Sequence, residues 1–391
     1  MLRPEYRNSV AGGVVLAGLL AYAVKESPPA TLSPATSTSI TTTSTSSGIG
    51  TIETLPATPP AVTPTTMPPS FAYAADQNKN YIAMFGVDQT TGILTALGTK
   101  ETGAKPYFLV ADPQGNFVFV TNFNDGSVTS FRIDRSTGTL ETVGTTILPN
   151  STRAIALAID PAGRHLYALI DLANELYVYN ISGSGALTYL TVEVTGQDPL
   201  AMQFTPDGKY AYVANNGSND ISCYTVNADG SLAPIETVVA GVSPNALVMD
   251  PQERVLYVEN YMPNNIFGYA IDYATGRLGL LRKSPATTDS DPWSMAFDPL
   301  GRYLYVANFS ANLIAVYNID AVTGALVAQI SATYSGISRP RFVTADPSGK
   351  FVYACDDNGI AIFRIRNALG ELQFVKSDTT VSNSNAIVIV R

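Results

Sequence analysis

Lys105, Arg153, Asp198, Ser243, Asp291 and Arg339 each stand immediately before a proline or, for Arg153, before Ala154 in its place; one step beyond come Tyr107, Ile155, Leu200, Asn245, Trp293 and Arg341. If these positions share one face of a fold, cations, carboxylates, an amide and the only tryptophan of the chain converge there. The forked guanidinium groups of Arg339 and Arg341, with Lys105 and Arg153, suit an anion, while Trp293 and Tyr107 offer stacking faces and Asn245 an amide. The set Lys105, Tyr107, Arg153, Asn245, Trp293, Arg339 and Arg341 therefore reads as a binding site for a small anionic or sugar-like ligand. The competing reading is that opposite charges at loop starts only bridge neighbouring repeats. Hydrolytic chemistry would need a carboxylate, Asp198, Asp291 or Glu259, to activate water, and Arg339, Arg341 or Lys105 to hold the oxyanion. Imidazole is nearly absent: the sole histidine, His165, lies in GRHLYAL just after a hairpin turn and reads as a turn or edge residue. No G-x-S-x-G elbow, H-E-x-x-H pair or phosphate-cradling glycine loop offers another chemistry. Asp356-Asp357-Asn358 and Asp76 with Asn78 do not have the spacing of a calcium loop, so neither a metal nor a cofactor is expected.

The spacing of these residues belongs to a repeat. Asp-Pro or Thr-Pro pairs place prolines at 113, 161, 206, 251, 299 and 347, separated by 48, 45, 45, 48 and 48 residues. Around each lies the same succession, clear in DPWSMAFDPLGRYLYVANFSANLIAVYNIDAVTGALVAQI. An apolar run meets a D-P-x-G turn, an alternating strand comes next, and after a polar loop come a second alternating strand, a T-G turn and a final strand. Proline presets φ and glycine supplies the positive φ of tight hairpins, so each unit should fold as four short antiparallel strands. A column rich in asparagine (Asn122, Asn124, Asn215, Asn216, Asn260, Asn264, Asn308, Asn312) falls in the loop between the middle strands. Asparagine suits left-handed turn positions with or without a ligand.

One copy is split. FAYAADQNKNYIAMFGVDQTTGILTAL, from Phe71, supplies the last three strands of a unit, and the C-terminal SNAIVIVR matches a first strand with nothing after it. Joined, they make a seventh unit, which predicts a seven-bladed β-propeller, all-β, closed by its C-terminal strand across residues 71-391. Ring closure removes the free edges that a linear solenoid would have to cap.

Composition narrows the partners. The net charge of -9 and the absence of a Lys/Arg cluster argue against nucleic acid. Arg3 and Arg7 precede an apolar run from Val10 to Val24 that ends in Ala21-Tyr22-Ala23, the pattern of a secretory signal over residues 1-26. Fifteen apolar residues would make a helix of about 22 Å, short for a membrane span, so no span is expected after cleavage, with a retained N-terminal anchor as the alternative. Residues 27-70 are almost entirely Ser, Thr, Pro and Ala and read as a disordered linker. The expected location is secreted or periplasmic, and the expected state a monomer. Cys223 and Cys355 fall in the fourth and seventh blades, too far apart for a disulfide, and are expected as free buried thiols.

Tyr212-Val213-Ala214-Asn215, Tyr257-Val258-Glu259-Asn260 and Tyr305-Val306-Ala307-Asn308 resemble the YVTN-type propeller repeat, and ADPQGNFVFVTNFNDGSVTSFRIDRSTGTL resembles a blade of the lactonase-like propellers. That family includes 6-phosphogluconolactonase and the carboxy-cis,cis-muconate cyclases. The resemblance covers about residues 71 to 391 and implies lactone hydrolysis, with a Pro-His-x-His stretch on a first strand and further His, Arg and Glu at the same mouth. Here the corresponding stretch is Asp198-Pro199-Leu200-Ala201-Met202, with Leu200 and Met202 where the imidazoles would stand. The departure makes a ligand-binding or protein-interaction module the first expectation and a carboxylate-based lactone hydrolase the second.

Overall fold

The computed structural model describes residues 69–170, 172–333, 336–366 and 370–391. The expected signal and nearly all of the expected linker lie outside them; Ser70 already belongs to a strand.

The D-P-x-G and T-G turns return the chain on itself at the predicted spacing. The result is seven antiparallel sheets, each laid down from the inside outwards. The innermost strands of blades two to seven are Pro106–Ala111, Ala156–Ile159, Pro199–Phe204, Pro244–Met249, Pro292–Phe297 and Phe342–Ala345. Blade one is the split copy. Its inner strand, Ile387–Val390, pairs with Ser70–Asp76 through Phe71 opposite Val390 and Ala74 opposite Ile387. In blade five the outer strand is in two pieces, Leu278–Leu280 and Ala286–Thr287. Among the described residues, helix is confined to one 3-10 turn, Pro149–Ser151.

Inner and second strands, such as Pro199–Phe204 and Tyr210–Asn215, are buried throughout except at Ala111 and Val388, because each blade has a neighbour on both faces. Outer strands such as Leu232–Val239 alternate between half-buried and exposed. Tyrosines on the second strands fasten one blade to the next. The hydroxyls of Tyr73, Tyr167, Tyr212, Tyr257 and Tyr353 donate to the turn carbonyls of Gly138, Gly230, Gly276, Gly324 and Gly92 respectively. Each such buried bond contributes about 1 kcal/mol net, and burial raises the pKa of all five phenols. Blade two has Phe119 at this position, which cannot donate.

Both cysteines are free and buried. Cys223 sits in Asp220–Val226 of blade four and Cys355 in Phe351–Asp356 of blade seven; burial pushes both thiols up to about 12.

Candidate functional site

The ends of the inner strands define two faces. Each inner strand begins at one face and runs to the other, about 17–20 Å away for six residues, where in blades two to seven a proline turn follows. All the residues expected to bind ligand sit at the starting face, the mouth. His165 does not. It begins the second strand of blade three beside the D-P turn, buried, with Nδ1 2.9 Å from Asp160 Oδ2.

The start of each inner strand is fixed by its neighbour. Lys105, Asp198, Ser243, Asp291 and Arg339 all adopt left-handed backbone, φ between 49° and 56°. Their N–H groups donate to the side-chain oxygens of Asn80, Asn174, Asn219, Asn264 and Asn312, themselves left-handed hairpin residues of the preceding blade. A short polar side chain that tolerates positive φ and carries an acceptor suits that hairpin position. Blade two has Gly126 there, with no acceptor to offer. Blade three accordingly starts differently: the 3-10 turn at Pro149–Ser151 precedes it, and Arg153 is not left-handed. Thus the column expected to hold ligand is set first by backbone.

The next residue falls in a bulge. Register slips between Pro199 and Ala201, Pro244 and Ala246, and Pro292 and Ser294 leave Leu200, Asn245 and Trp293 as the extra residue, and Tyr107 falls in the slip between Pro106 and Leu109. Bulges re-aim side chains and are common beside sites. Ile155 and Arg341 occupy the same place, their N–H groups donating to Leu169 and Cys355 carbonyls, and Asn385 takes it in blade one.

The cations divide into two pairs, each over a phenylalanine placed just after a second strand. Lys105 Nζ and the Arg153 guanidinium lie 4.9 and 5.1 Å from the Phe123 ring, which tilts against Tyr107 at 5.5 Å. Arg341 and Arg339 lie 5.3 and 5.6 Å from the Phe309 ring, on which Trp293 stacks at 4.5 Å with an interplanar angle of 13°. Asp357 binds both arginines, its Oδ1 2.6 Å from Arg341 Nη2 and its Oδ2 against Arg339.

Glu259 separates from the other carboxylates. Asp291 accepts from the Ser310 hydroxyl. Glu259 is fully buried, and neither of its oxygens receives a hydrogen bond of good geometry, the Asn245 amide lying nearby but donating to the Trp293 carbonyl. Burial holds its pKa well above the ordinary carboxylate range, with the nearby Asn245 amide pulling the other way. The equivalent second-strand residues are Ala75, Thr121, Leu169, Ala214, Ala307 and Cys355, so blade five alone buries an ionisable carboxyl there. Leaving such a group unpaired costs about 1–3 kcal/mol. Trp293 Nε1, Arg341 Nη1 and Asn385 Nδ2 are also buried without a partner. Asn245 reaches the Trp293 carbonyl at 3.3 Å, tying blade five to blade six at this point. Among the bulge positions and Glu259, the orphaned atoms lie from blade five round to blade one; in blade four the Asn215 Oδ1 at the end of the second strand is likewise buried without a partner.

The asparagine loop column is engaged in structure. Asn122 and Asn215 amides donate to Ser127, Thr129, Asp220 and Ser222. Gly241 lies so close over Asn260 that a Cβ would come 2.4 Å from its Cγ. Asp356 accepts from Ser338 and Asn358 N–H groups, and Asp76 from Asn78 and Ser382. Among the described residues no three metal-ligating side chains cluster, and no helix is long and apolar enough to cross a membrane. Phe123, Phe309, Asp357 in its clamping role, and Asn385 were not among the residues expected from sequence. The first three share one repeat position, just after the last residue of a second strand, which a column drawn one place further along would have exposed.

Seven antiparallel sheets, the first closed by pairing of Ile387–Val390 with Ser70–Asp76, define a seven-bladed β-propeller. Residues 51–157, 156–292 and 286–389 match the family described as lactonase, 7-bladed beta-propeller, and the chain belongs to that family. No curated protein matches the chain. Among solved structures, a candidate 6-phosphogluconolactonase of Bacteroides uniformis is 21% identical with a TM-score of 0.75, covering 83% of this chain and 100% of its own. A protein of Lactobacillus plantarum is 22% identical with a TM-score of 0.72, over 83% and 100% of the two chains. The periplasmic gluconolactonase of Pseudomonas aeruginosa is 19% identical with a TM-score of 0.69, over 83% and 99%. At these identities the likeness is one of fold.

Proposed function

We propose that this propeller is a lactone hydrolase whose reacting groups lie in the sector from blade five to blade one, with Glu259 as the proton-transfer group. The observation that carries the reading is Glu259 itself, buried with neither oxygen receiving a hydrogen bond of good geometry, in a column where every other blade has a small or apolar residue. A carboxyl whose pKa is raised by burial is a stronger base once ionised than an exposed one. In the ionised form Glu259 takes a proton from water as the water oxygen adds to the lactone carbonyl carbon. Arg341 Nη1 and Trp293 Nε1 are the donors available to the developing oxyanion. The ring C–O bond then breaks, and the proton held by Glu259 passes to the leaving alkoxide, giving the hydroxy acid. The family membership and the fold shared with a gluconolactonase support the same reading.

A second reading has one observation in its favour. Leu200 and Met202, both buried, stand where the family resemblance places imidazoles, so the same sector would serve a propeller that binds its ligand without opening it. A pH-indicator assay over a panel of lactones separates the two. Hydrolysis that rises with pH and is lost in Glu259→Gln, with ligand binding retained, supports catalysis; binding without turnover in the parent protein favours the second reading. Arg3, Arg7 and the apolar run to Val24 support an extracytoplasmic location, and mass spectrometry of the N-terminus of the secreted or periplasmic fraction tests it. We take the working unit to be a monomer, checked by light scattering.

A further inference from the structure

The seven residues at the bulge position are not chemically mixed around the ring. Blades five, six, seven and one place Asn245, Trp293, Arg341 and Asn385 there, whereas blades two, three and four place Tyr107, Ile155 and Leu200. Ile155 and Leu200 are 3% and 4% exposed, and Met202, two residues along the same strand as Leu200, is 7% exposed. At the bulge position one half of the mouth therefore carries donors beside a carboxyl, and the other carries a phenol and two packed hydrocarbon side chains, with Lys105 and Arg153 on that same side over Phe123.

The bias continues outwards on the same face. Ile147, Val194 and Val239 end the outer strands of blades two, three and four, next to the crossover to the following inner strand, and are 63%, 77% and 79% exposed. Leu172 in the hairpin of blade three and Met262 in that of blade five are 82% and 55% exposed. The corresponding hairpins of blades seven and one carry Asp357-Asn358 and Gln77-Asn78-Lys79, and the outer strand of blade one ends in Glu101. Exposed aliphatic side chains thus recur along the rim of blades two to four, interrupted by the polar hairpins Asn124-Asp125 and Asn216-Gly217-Ser218, and a polyhydroxylated ring would gain nothing from them.

We infer that the ligand of this mouth is a lactone carrying an aliphatic substituent, with the ring held in the sector from Asn245 to Asn385 and the hydrocarbon lying over Ile155 and Leu200 towards the rim of blades three and four. The inference rests on the lactone reading above and narrows it to a substrate class. The polar half supplies recognition of the carbonyl, and the apolar half supplies affinity that grows with the length of chain it covers.

The test uses the full purified chain, δ-gluconolactone, and a series of γ-lactones with unbranched side chains from ethyl to octyl. Turnover is monitored by acid release, and binding by the fluorescence of Trp293, the only tryptophan. The expected result is a KM, or a Kd from Trp293 quenching, that falls about threefold to fourfold per added methylene until the apolar half is covered. Leu200→Asn, or Ile155→Thr should that protein fail to fold, is expected to flatten this slope. Turnover of δ-gluconolactone with no dependence on side-chain length overturns this inference and leaves lactone hydrolysis standing. Chain-length-dependent quenching without turnover supports the inference and overturns hydrolysis. Neither turnover nor quenching with any of these lactones overturns both.

Discussion

Phe123 and Phe309 occupy the same repeat position in blades two and six, and each has two cations over its ring and a second aromatic beside it. The difference comes from the neighbouring blade. Blade seven supplies Asp357, which binds Arg339 and Arg341 together; among the described residues no carboxylate pairs with Lys105 or Arg153. A cation held only by a ring face at an exposed site is worth about 0.5–1 kcal/mol and keeps much of its freedom. A guanidinium held by a ring and a carboxylate is fixed in place. Arg341 is 11% exposed at its side chain and keeps Nη1 unpaired, whereas Arg339, held by the same ring and carboxylate, is 55% exposed and Arg153 is exposed. The first pair contributes to the field over the mouth, and the second contributes a donor in a set position.

That contrast can be broken from either side. Arg341→Ala should have the largest effect, a loss of about 10²–10³ in kcat for lactone hydrolysis if its free Nη1 holds the oxyanion, read in steady-state kinetics. Asp357→Asn keeps the shape but removes the clamp; a fall of about tenfold in kcat with little change in KM is expected, and an unchanged kcat would mean that Phe309 alone positions Arg341. Glu259→Gln sharpens the comparison through pH. The folded-state pKa of Glu259 lies above its unfolded value, so the folded protein binds the extra proton. Stability is therefore lost as pH rises from the ordinary glutamate range towards the raised pKa. The variant should melt above the parent at pH 8 and show a smaller difference at pH 4, measured by thermal unfolding. Lys105→Ala should have the smallest effect, less than about twofold in kcat/KM and mainly in its salt dependence, because a half-buried cation with no carboxylate partner among the described residues acts through a largely screened field.

The fold was legible because it is written in residues with few alternatives. Proline and glycine fix the turns, strict alternation fixes the strands, and two incomplete copies at the chain ends have only each other to complete. The site was legible by column but not by pairing. Sequence placed Lys105, Arg153, Arg339 and Arg341 at one mouth, yet could not show that they split between two phenylalanines, because that depends on which loop leans over which neighbour. Nor could it show that Lys105, Asp198, Ser243, Asp291 and Arg339 are chosen first as acceptable residues at a left-handed position clamped by an asparagine from the previous blade. Glu259 was visible as a carboxylate at a strand end, a place usually solvated. Its isolation depends on how neighbouring strands pack over it, which sequence periodicity does not encode.

The pairing of Ile387–Val390 with Ser70–Asp76 has a consequence for how the protein is made. The strand that completes blade one is made after the six other blades, so the three strands waiting for it keep an open edge until it emerges. Phe71 already abuts the turn glycine Gly138 of blade two, and the Arg135 guanidinium reaches the backbone oxygen of Arg391. Deleting Ile387–Val390 would therefore leave six whole blades and a seventh unlocked at one seam.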